Sequence, residues 1–234
     1  MHRCMARKTS TRTKYVRSEL REMLRRGNTH VPTQGVTANN WVFSSAPQRD
    51  REAAGAVDGV MDAELAINHV TTTGKKYQLG RVVIGQIHAN RTEPIRLYYQ
   101  KLPDHQTGSI YFAHDVVNGP TQWYDMIGRK SFTKKQSEPE DGIALNERFG
   151  YRIEVRGNTL TVTLHRHGKK DVVKTVDMSR SGYDQGGNLC ISKRGFITKI
   201  IQRNRMIMSR QHFTGLMLGI DWYNNMIICN QSGR

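Results

Sequence analysis

One short segment of the chain combines residue types that can bind a carboxylate. Residues 17–22 read Arg-Ser-Glu-Leu-Arg-Glu. On a strand, Arg17, Glu19 and Arg21 would project from one face at period two. Two planar guanidinium groups, steadied by the carboxylate between them, suit a carboxylate-bearing substrate. The alternative is a short solvated helix with scattered ion pairs, which is the commoner use of such a charge run.

A second segment combines an amide with an imidazole. Gln86, Ile87 and His88 end an apolar run, so on a strand Gln86 and His88 share one face while Ile87 points to the other. This pair can bind a carboxylate and move a proton near neutral pH. The alternative is a structural histidine, hydrogen-bonded on a half-buried sheet, and a single histidine more often has that role.

A third segment is aromatic and basic. Residues 96–101 read Arg-Leu-Tyr-Tyr-Gln-Lys, and Trp123 and Tyr124 follow further on. Sugars stack on aromatic faces and hydrogen-bond to polar edges, so Arg96 and Lys101 are candidate substrate-binding cations in a glycan groove. Core packing accounts for the aromatic residues equally well.

The elements that must position these segments are strands. Short β-rich runs separated by turn residues predict an all-β sandwich or barrel with no helix. Residues 151–156 and 159–164 alternate apolar with polar side chains around Gly157 and Asn158, which predicts a hairpin with a two-residue turn. A strand at 172–176 should pair next to it. The other predicted strands lie at 41–45, 60–70, 81–89, 95–100 and 109–113.

The composition limits the possible functions. The 234 residues carry a net charge of +16 with a pI near 10.1, which points to a polyanionic partner without identifying it. The mean hydropathy is −0.63 and no run approaches eighteen apolar residues, so we expect no membrane span and no membrane partner. The first residues are charged without an apolar stretch, so no signal peptide is visible. Three cysteines without zinc-ligand spacing predict neither a disulfide framework nor a metal site.

Residues 17–22 and 86–88, in this order on a β-rich scaffold, resemble the alginate lyases of polysaccharide lyase family 7. The resemblance runs from residue 15 to 188 and includes residues 98–103 and 109–114. It implies a β-jelly-roll sandwich of two curved antiparallel sheets with the substrate in a concave groove. It also implies a monomeric, secreted or periplasmic lyase that needs no cofactor.

The ends of the chain depart from that family. Its third signature, Tyr-Phe-Lys-Ala-Gly-x-Tyr-x-Gln, should follow soon after Asn188 and is absent. The codons that could encode residues 190–199, read from the third base of each, permit every residue of that signature. We therefore expect a single domain over 1–234 whose segments 1–14 and 189–234 are atypical because of frameshifts. We also expect the last strands of the sheet to be lost, with activity and stability reduced.

The resemblance implies site residues and a reaction. Arg21 and Gln86 would neutralise the uronate carboxylate, His88 would assist or act as base, and Arg17 and Glu19 would position the sugars. The reaction is β-elimination on alginate or another polyuronate, and Ile87 suggests blocks that contain guluronate. One alternative is a non-catalytic module that binds acidic glycans. A nucleic-acid-binding protein would explain the charge, but the charge is concentrated in the atypical ends and no recognised motif accompanies it.

Overall fold

The computed structural model describes residues 17–131 and 137–198, without the side chains of residues 17–19 and 193–198. Strands dominate this part of the chain. Its elements are β1 Arg17–Arg21, β2 Trp41–Val42, helix α1 Gln48–Ala53, β3 Ala56–Val57, β4 Gly59–Ala66, a 3-10 helix Lys76–Gln78, β5 Arg81–His88, β6 Ile95–Gln100, β7 Thr107–Asp115, β8 Thr121–Ile127, β9 Ile143–Ala144, β10 Arg148–Arg156, β11 Thr159–His165, β12 Val172–Asp177 and β13 Ile191–Thr198.

Two antiparallel sheets make the sandwich. The larger has the strand order β1-β13-β5-β6-β7-β8, with β9 paired to β7, and the smaller has the order β12-β11-β10-β4. A separate two-stranded parallel pair joins β2 to β3. The predicted all-β jelly-roll sandwich is confirmed.

The core lies between the two sheets because successive side chains of each strand alternate between faces. In β10, Tyr151, Ile153 and Val155 point inward and are at most 1% exposed. They pack with inward residues of β5, such as Ile84 and Ile87. The outward positions of β10, such as Arg152 and Glu154, carry charged residues.

The predicted hairpin is confirmed. Strands β10 and β11 pair from Arg156↔Thr159 to Gly150↔His165, around a turn of Gly157 and Asn158. Gly157 has φ of 55°, a left-handed value that glycine adopts at little cost. Strand β12 pairs with β11, as expected for residues 172–176.

A bulge in β5 sets the register of residues 86–88. The pairing of β5 with β6 shifts between Val83 and Gly85. The hydroxyl of Tyr151 donates a hydrogen bond to the carbonyl of Ile84 at 2.8 Å. A Cβ on Gly85 would lie 2.7 Å from the Tyr151 oxygen, so a side chain does not fit there. The bulge and this contact place Gln86 and His88 on the outer face of the sheet.

The structure decides between the two interpretations of residues 17–22. Residues 17–21 form β1, paired antiparallel with β13, so the strand is confirmed and the helix alternative is wrong. Among the described residues this strand pairs with β13 alone. The charged run thus gains backbone hydrogen bonds that no local sequence signal specifies.

Three sequence expectations are corrected. Helix α1 lies at 48–53, although no helix was expected, and β8 lies at 121–127, outside the predicted strands. Strand β8 escaped detection because its sequence, Thr-Gln-Trp-Tyr-Asp-Met-Ile, does not alternate clearly between polar and apolar residues, and four of the seven are exposed. The expected loss of the last strands is wrong for residues 191–198, because β13 lies between β1 and β5.

None of the helices in residues 17–131 and 137–198 is long and apolar enough to cross a membrane. The same residues hold no group of three or more His, Cys, Asp or Glu side chains arranged to bind a metal ion.

Candidate active site

The sheet register brings the two predicted segments together. Arg21 pairs with Lys193, Lys193 pairs with Gln86, and Gln86 pairs with Arg96. These four positions form one row across β1, β13, β5 and β6. Because neighbouring strands are about 4.8 Å apart, the Arg21 and Gln86 backbones are about 10 Å apart across β13. Segments separated by 65 positions in the sequence thus share one patch of the outer face.

Gln86 and His88 share the outer face, as predicted, while Ile87 points into the core at 2% exposure. Gln86 is 5% exposed, and the His88 side chain is about one-third exposed. The Nδ1 atom of His88 is hydrogen-bonded to the carbonyl of Ala89. A carbonyl only accepts, so Nδ1 carries the proton in this contact, and Nε2 of the neutral ring is the nitrogen with an available lone pair.

A carboxylate that the sequence analysis missed lies beside His88. Glu93 Oε1 is 3.8 Å from His88 Nε2, and Glu93 Oε2 is 3.7 Å from Arg96 Nε. The turn between β5 and β6 returns the chain, so Glu93 lies next to the histidine five positions earlier. The Glu93 carboxylate therefore lies between the imidazole of His88 and the guanidinium of Arg96. An acidic residue in the turn after the strand that carries Gln86 and His88 was the sequence signal that could have identified Glu93.

Arg96 lies on the same face, and its guanidinium is paired with carboxylates of the protein. Its Nη2 is 2.6 Å from Asp115 Oδ1, and the two side chains are only 20% and 13% exposed. Asp115 also accepts hydrogen bonds from the Thr121 hydroxyl at 2.7 Å and from the Glu93 backbone N–H at 3.2 Å. The charge of Arg96 is therefore compensated by β7, and its predicted role in substrate binding stays a prediction.

The pKa of Asp115 reflects these contacts. Burial raises it, but the hydrogen bonds from Thr121 and Glu93 and the charge of Arg96 outweigh burial, so the pKa lies below its usual value. Desolvation opposes the charge of Arg96, yet neighbouring anions raise the pKa of that guanidinium. Both groups therefore stay ionised and keep the β6–β7 edge of the site fixed.

The remaining predicted site residues fall in different places. Arg21 is half-buried at the end of β1, and its Nε has no hydrogen-bond partner among the described residues. The side chains of Arg17 and Glu19 lie outside the described residues. Lys101 lies just past the opposite end of β6 from Arg96, where its ammonium contacts the carbonyl of Leu102 at 3.3 Å. The structure groups Arg21, Gln86, His88 and Arg96, and leaves Lys101 apart from them.

The aromatic residues divide between the two faces of the larger sheet, and core packing is confirmed for those on the inner face. Tyr99 and Tyr124 pack toward the core, where they stack on Phe149 and Phe112. Tyr98 lies on the outer face with Tyr111 and Trp123 of the neighbouring strands, at ring-centroid distances of 5.4 and 5.8 Å. The guanidinium of Arg81, which the sequence analysis missed, lies 4.1 Å from the Tyr98 ring centroid.

Comparisons with known proteins point in one direction. A family model described as alginate lyase matches residues 1–198. An alginate lyase from Klebsiella pneumoniae is 58% identical over 195 residues, which are 80% of this chain and 64% of that protein. The chain therefore spans a little under two-thirds of the length of this relative.

Solved structures agree with the fold. A crystal structure of the alginate lyase from Klebsiella pneumoniae matches with a TM-score of 0.79 and 56% identity, over 82% of this chain and 70% of that one. An exolytic alginate lyase from Zobellia galactanivorans matches with a TM-score of 0.53 and 20% identity, over 78% and 69% of the two chains. At that identity the second match supports the fold alone.

Proposed function

The chain belongs to the alginate lyase family, and from that premise we propose that it cleaves alginate by β-elimination, with a preference for blocks that contain guluronate. The observation that carries this proposal is the row that aligns Arg21 with Gln86 beside His88 on the outer face of the larger sheet. A cation, an amide and an imidazole in one patch are the groups that this reaction on a uronate needs.

The first requirement is to make the C5 proton removable. That proton is weakly acidic while the adjacent carboxylate keeps its negative charge. Hydrogen bonds from the Gln86 amide and the Arg21 guanidinium would neutralise the carboxylate and stabilise the developing enolate, as an oxyanion hole does. Gln86 is 5% exposed, so its amide would act where water competes little.

The second requirement is a base, and His88 supports this role. With Nδ1 hydrogen-bonded to Ala89, Nε2 of the neutral ring would accept the C5 proton. Glu93, at 3.8 Å from Nε2, would stabilise the positive charge of the imidazolium that forms. In this proposal Glu93 acts on His88 through its charge, and the Ala89 carbonyl orients the ring.

The third requirement is a proton for the departing oxygen O4. The C5–H bond breaks, the C4–C5 double bond forms, the C4–O4 bond breaks, and O4 takes a proton. In the family a tyrosine of the third signature is taken to supply it, and that signature is absent from residues 189–199. Among the described groups, His88 in its protonated form would return the proton to O4.

The preference for guluronate rests on Ile87, which lies between the two catalytic candidates. Its side chain is buried in the core at 2% exposure, so it cannot touch a sugar. Any effect on selectivity would pass through the position of β5 and hence of Gln86 and His88.

A second candidate function follows from the missing signature tyrosine. A module that binds acidic glycans without cleaving them would keep Arg21 and Gln86 and would need no acid. The two functions differ in product formation, since elimination creates a conjugated unsaturated uronate that absorbs ultraviolet light.

The test is ultraviolet absorbance during incubation with polyguluronate and, separately, polymannuronate. A rise that is faster with polyguluronate, and that falls about 100-fold or more in His88→Ala and Gln86→Ala, supports the proposal. Lys170→Ala is the matched control, because this exposed lysine lies between β11 and β12 on the smaller sheet and should have no effect. Binding without an absorbance rise would favour the glycan-binding module.

A further inference from the structure

Five side chains on the outer face of the larger sheet form a group that the reaction does not use. This aromatic–cation cluster consists of Arg81, Tyr98, Tyr111, Trp123 and Lys130. The Arg81 guanidinium lies 4.1 Å from the Tyr98 ring centroid and 5.1 Å from that of Trp123. The Lys130 ammonium lies 3.5 Å from the Trp123 centroid. Two cations therefore share one aromatic ring.

The cluster lies on the same face as the proposed active site, at its far side. Gln86 pairs with Arg96, Arg96 with Ala113, and Ala113 with Trp123. Three strand spacings put Trp123 about 14 Å from Gln86. The position between Arg96 and Trp123 is held by Ala113, which is buried. A polysaccharide that crosses the strands from Gln86 would reach Trp123 several sugars away.

Within the described residues, the charge of Arg81 is less compensated than that of Arg96. Arg81 is 5% exposed, and its Nε and Nη2 atoms have no hydrogen-bond partner among the described residues. Its one described hydrogen bond goes from Nη1 to the carbonyl of Tyr77 at 3.2 Å. Arg96, by contrast, has a carboxylate partner at 2.6 Å.

Lys130 lies near both a second cation and an anion. Burial and the charge of Arg81 lower the pKa of Lys130, while Asp125 opposes them. The Asp125 carboxylate accepts a hydrogen bond from the Lys130 backbone N–H at 3.1 Å. An anion placed beside Lys130 would relieve the repulsion between the two cations.

We propose that the aromatic–cation cluster is a distal subsite that binds the carboxylate of a uronate unit several sugars away from the bond that is cleaved. Trp123, with 37% of its surface exposed, offers an apolar edge to the sugar ring. Lys130 contacts the carboxylate, and the buried charge of Arg81 strengthens the attraction from beneath. The inference rests on the proposed function, because it assumes that the ligand is a polyuronate.

Binding of defined guluronate oligomers tests this subsite. Isothermal titration in the His88→Ala background, which suppresses turnover, compares a trimer with a hexamer. We expect the hexamer to bind more tightly, and Trp123→Ala and Lys130→Ala each to weaken hexamer binding about five- to tenfold. Trimer binding should change less than about twofold, because a trimer at the active site is too short to reach Trp123. The Lys130→Ala effect should shrink as salt rises.

The controls separate the two proposals. Lys170→Ala removes an equal charge from the smaller sheet and should change neither affinity. Lys130→Ala alters a half-buried surface side chain, so it tests the subsite even if Trp123→Ala fails to fold. Equal losses for trimer and hexamer, or no loss for either, would overturn the distal subsite while leaving the proposed function intact. If the His88→Ala protein and the unmodified chain bind neither oligomer, both proposals fail.

Discussion

The outer faces of the two sheets carry the same kinds of charged residue in opposite surroundings. On the larger sheet, Arg96 and Asp115 form a pair whose side chains are 20% and 13% exposed. On the smaller sheet, Arg152 and Asp62 are 43% and 38% exposed at 3.4 Å. The first pair adjoins Gln86 and His88 through Glu93, and the second faces solvent. The Arg96–Asp115 pair therefore helps to fix the candidate site on the larger sheet, whereas the Arg152–Asp62 pair stays hydrated on the smaller sheet.

The physical reason is the cost of removing charge from water. An exposed pair gives up little hydration and gains little, whereas a buried pair that loses one partner leaves a charge without solvent. Substitutions of equal chemistry on the two sheets should therefore have unequal effects, and four experiments test this difference.

The largest loss of stability is expected at the β5 bulge, which sets the positions of Gln86 and His88. Gly85→Ala would place a Cβ 2.7 Å from the Tyr151 oxygen, so we expect a loss of about 3 kcal/mol in unfolding free energy. Gly150→Ala on the smaller sheet is the matched control, since its nearest contact would be 3.4 Å and its loss should stay below about 1 kcal/mol. Urea denaturation measures both. Similar losses for the two variants would contradict the role of the bulge.

The next effect comes from breaking one pair on each sheet. Arg96→Met leaves Asp115 buried without its cation, and we expect a loss of about 2 kcal/mol in unfolding free energy. Arg152→Met should cost less than about 1 kcal/mol, because Asp62 stays hydrated. Chemical denaturation at neutral pH compares them. Equal losses would mean that burial does not distinguish the two faces.

Lowering the pH should protonate the buried carboxylate of Asp115 and so reduce the unfolding free energy. The folded-state pKa of Asp115 lies below its usual value, so its contribution to stability is present above the unfolded pKa near 4 and is lost as pH falls through the folded pKa. We expect the unfolding free energy of Asp115→Asn to depend less on pH below about pH 4 than that of the unmodified protein. Denaturation series from pH 6 to pH 2.5 measure this. Identical slopes would contradict it.

The smallest effect is expected for the most exposed pair. Arg148 and Glu64 are 70% and 47% exposed at 3.7 Å. A double-mutant cycle with Arg148→Met and Glu64→Gln should give a coupling below about 0.5 kcal/mol that disappears at high salt. A coupling as large as that of Arg96 with Asp115 would erase the difference between the two faces.

The faces on which residues 86–88 lie were predictable because strand alternation is local. Gln86 and His88 face outward and Ile87 inward for the same reason that Ile153 and Val155 face the core. The hairpin around Gly157 was predictable because its turn chemistry and alternation agree. The strand at 17–21 was not, since the run of charges is compatible with a helix until β13 supplies backbone partners.

The chain's alternation and turn residues by themselves determined an all-β fold, a sandwich or a barrel, with Gln86 and His88 on one face of a strand. The tertiary structure alone decided which of the chain's charges are balanced. Arg96 is compensated by Asp115 across β6 and β7, whereas Arg81 lies on aromatic rings without a described carboxylate. Pairing across strands depends on register and bulges between distant segments, and no local pattern in the sequence encodes those contacts.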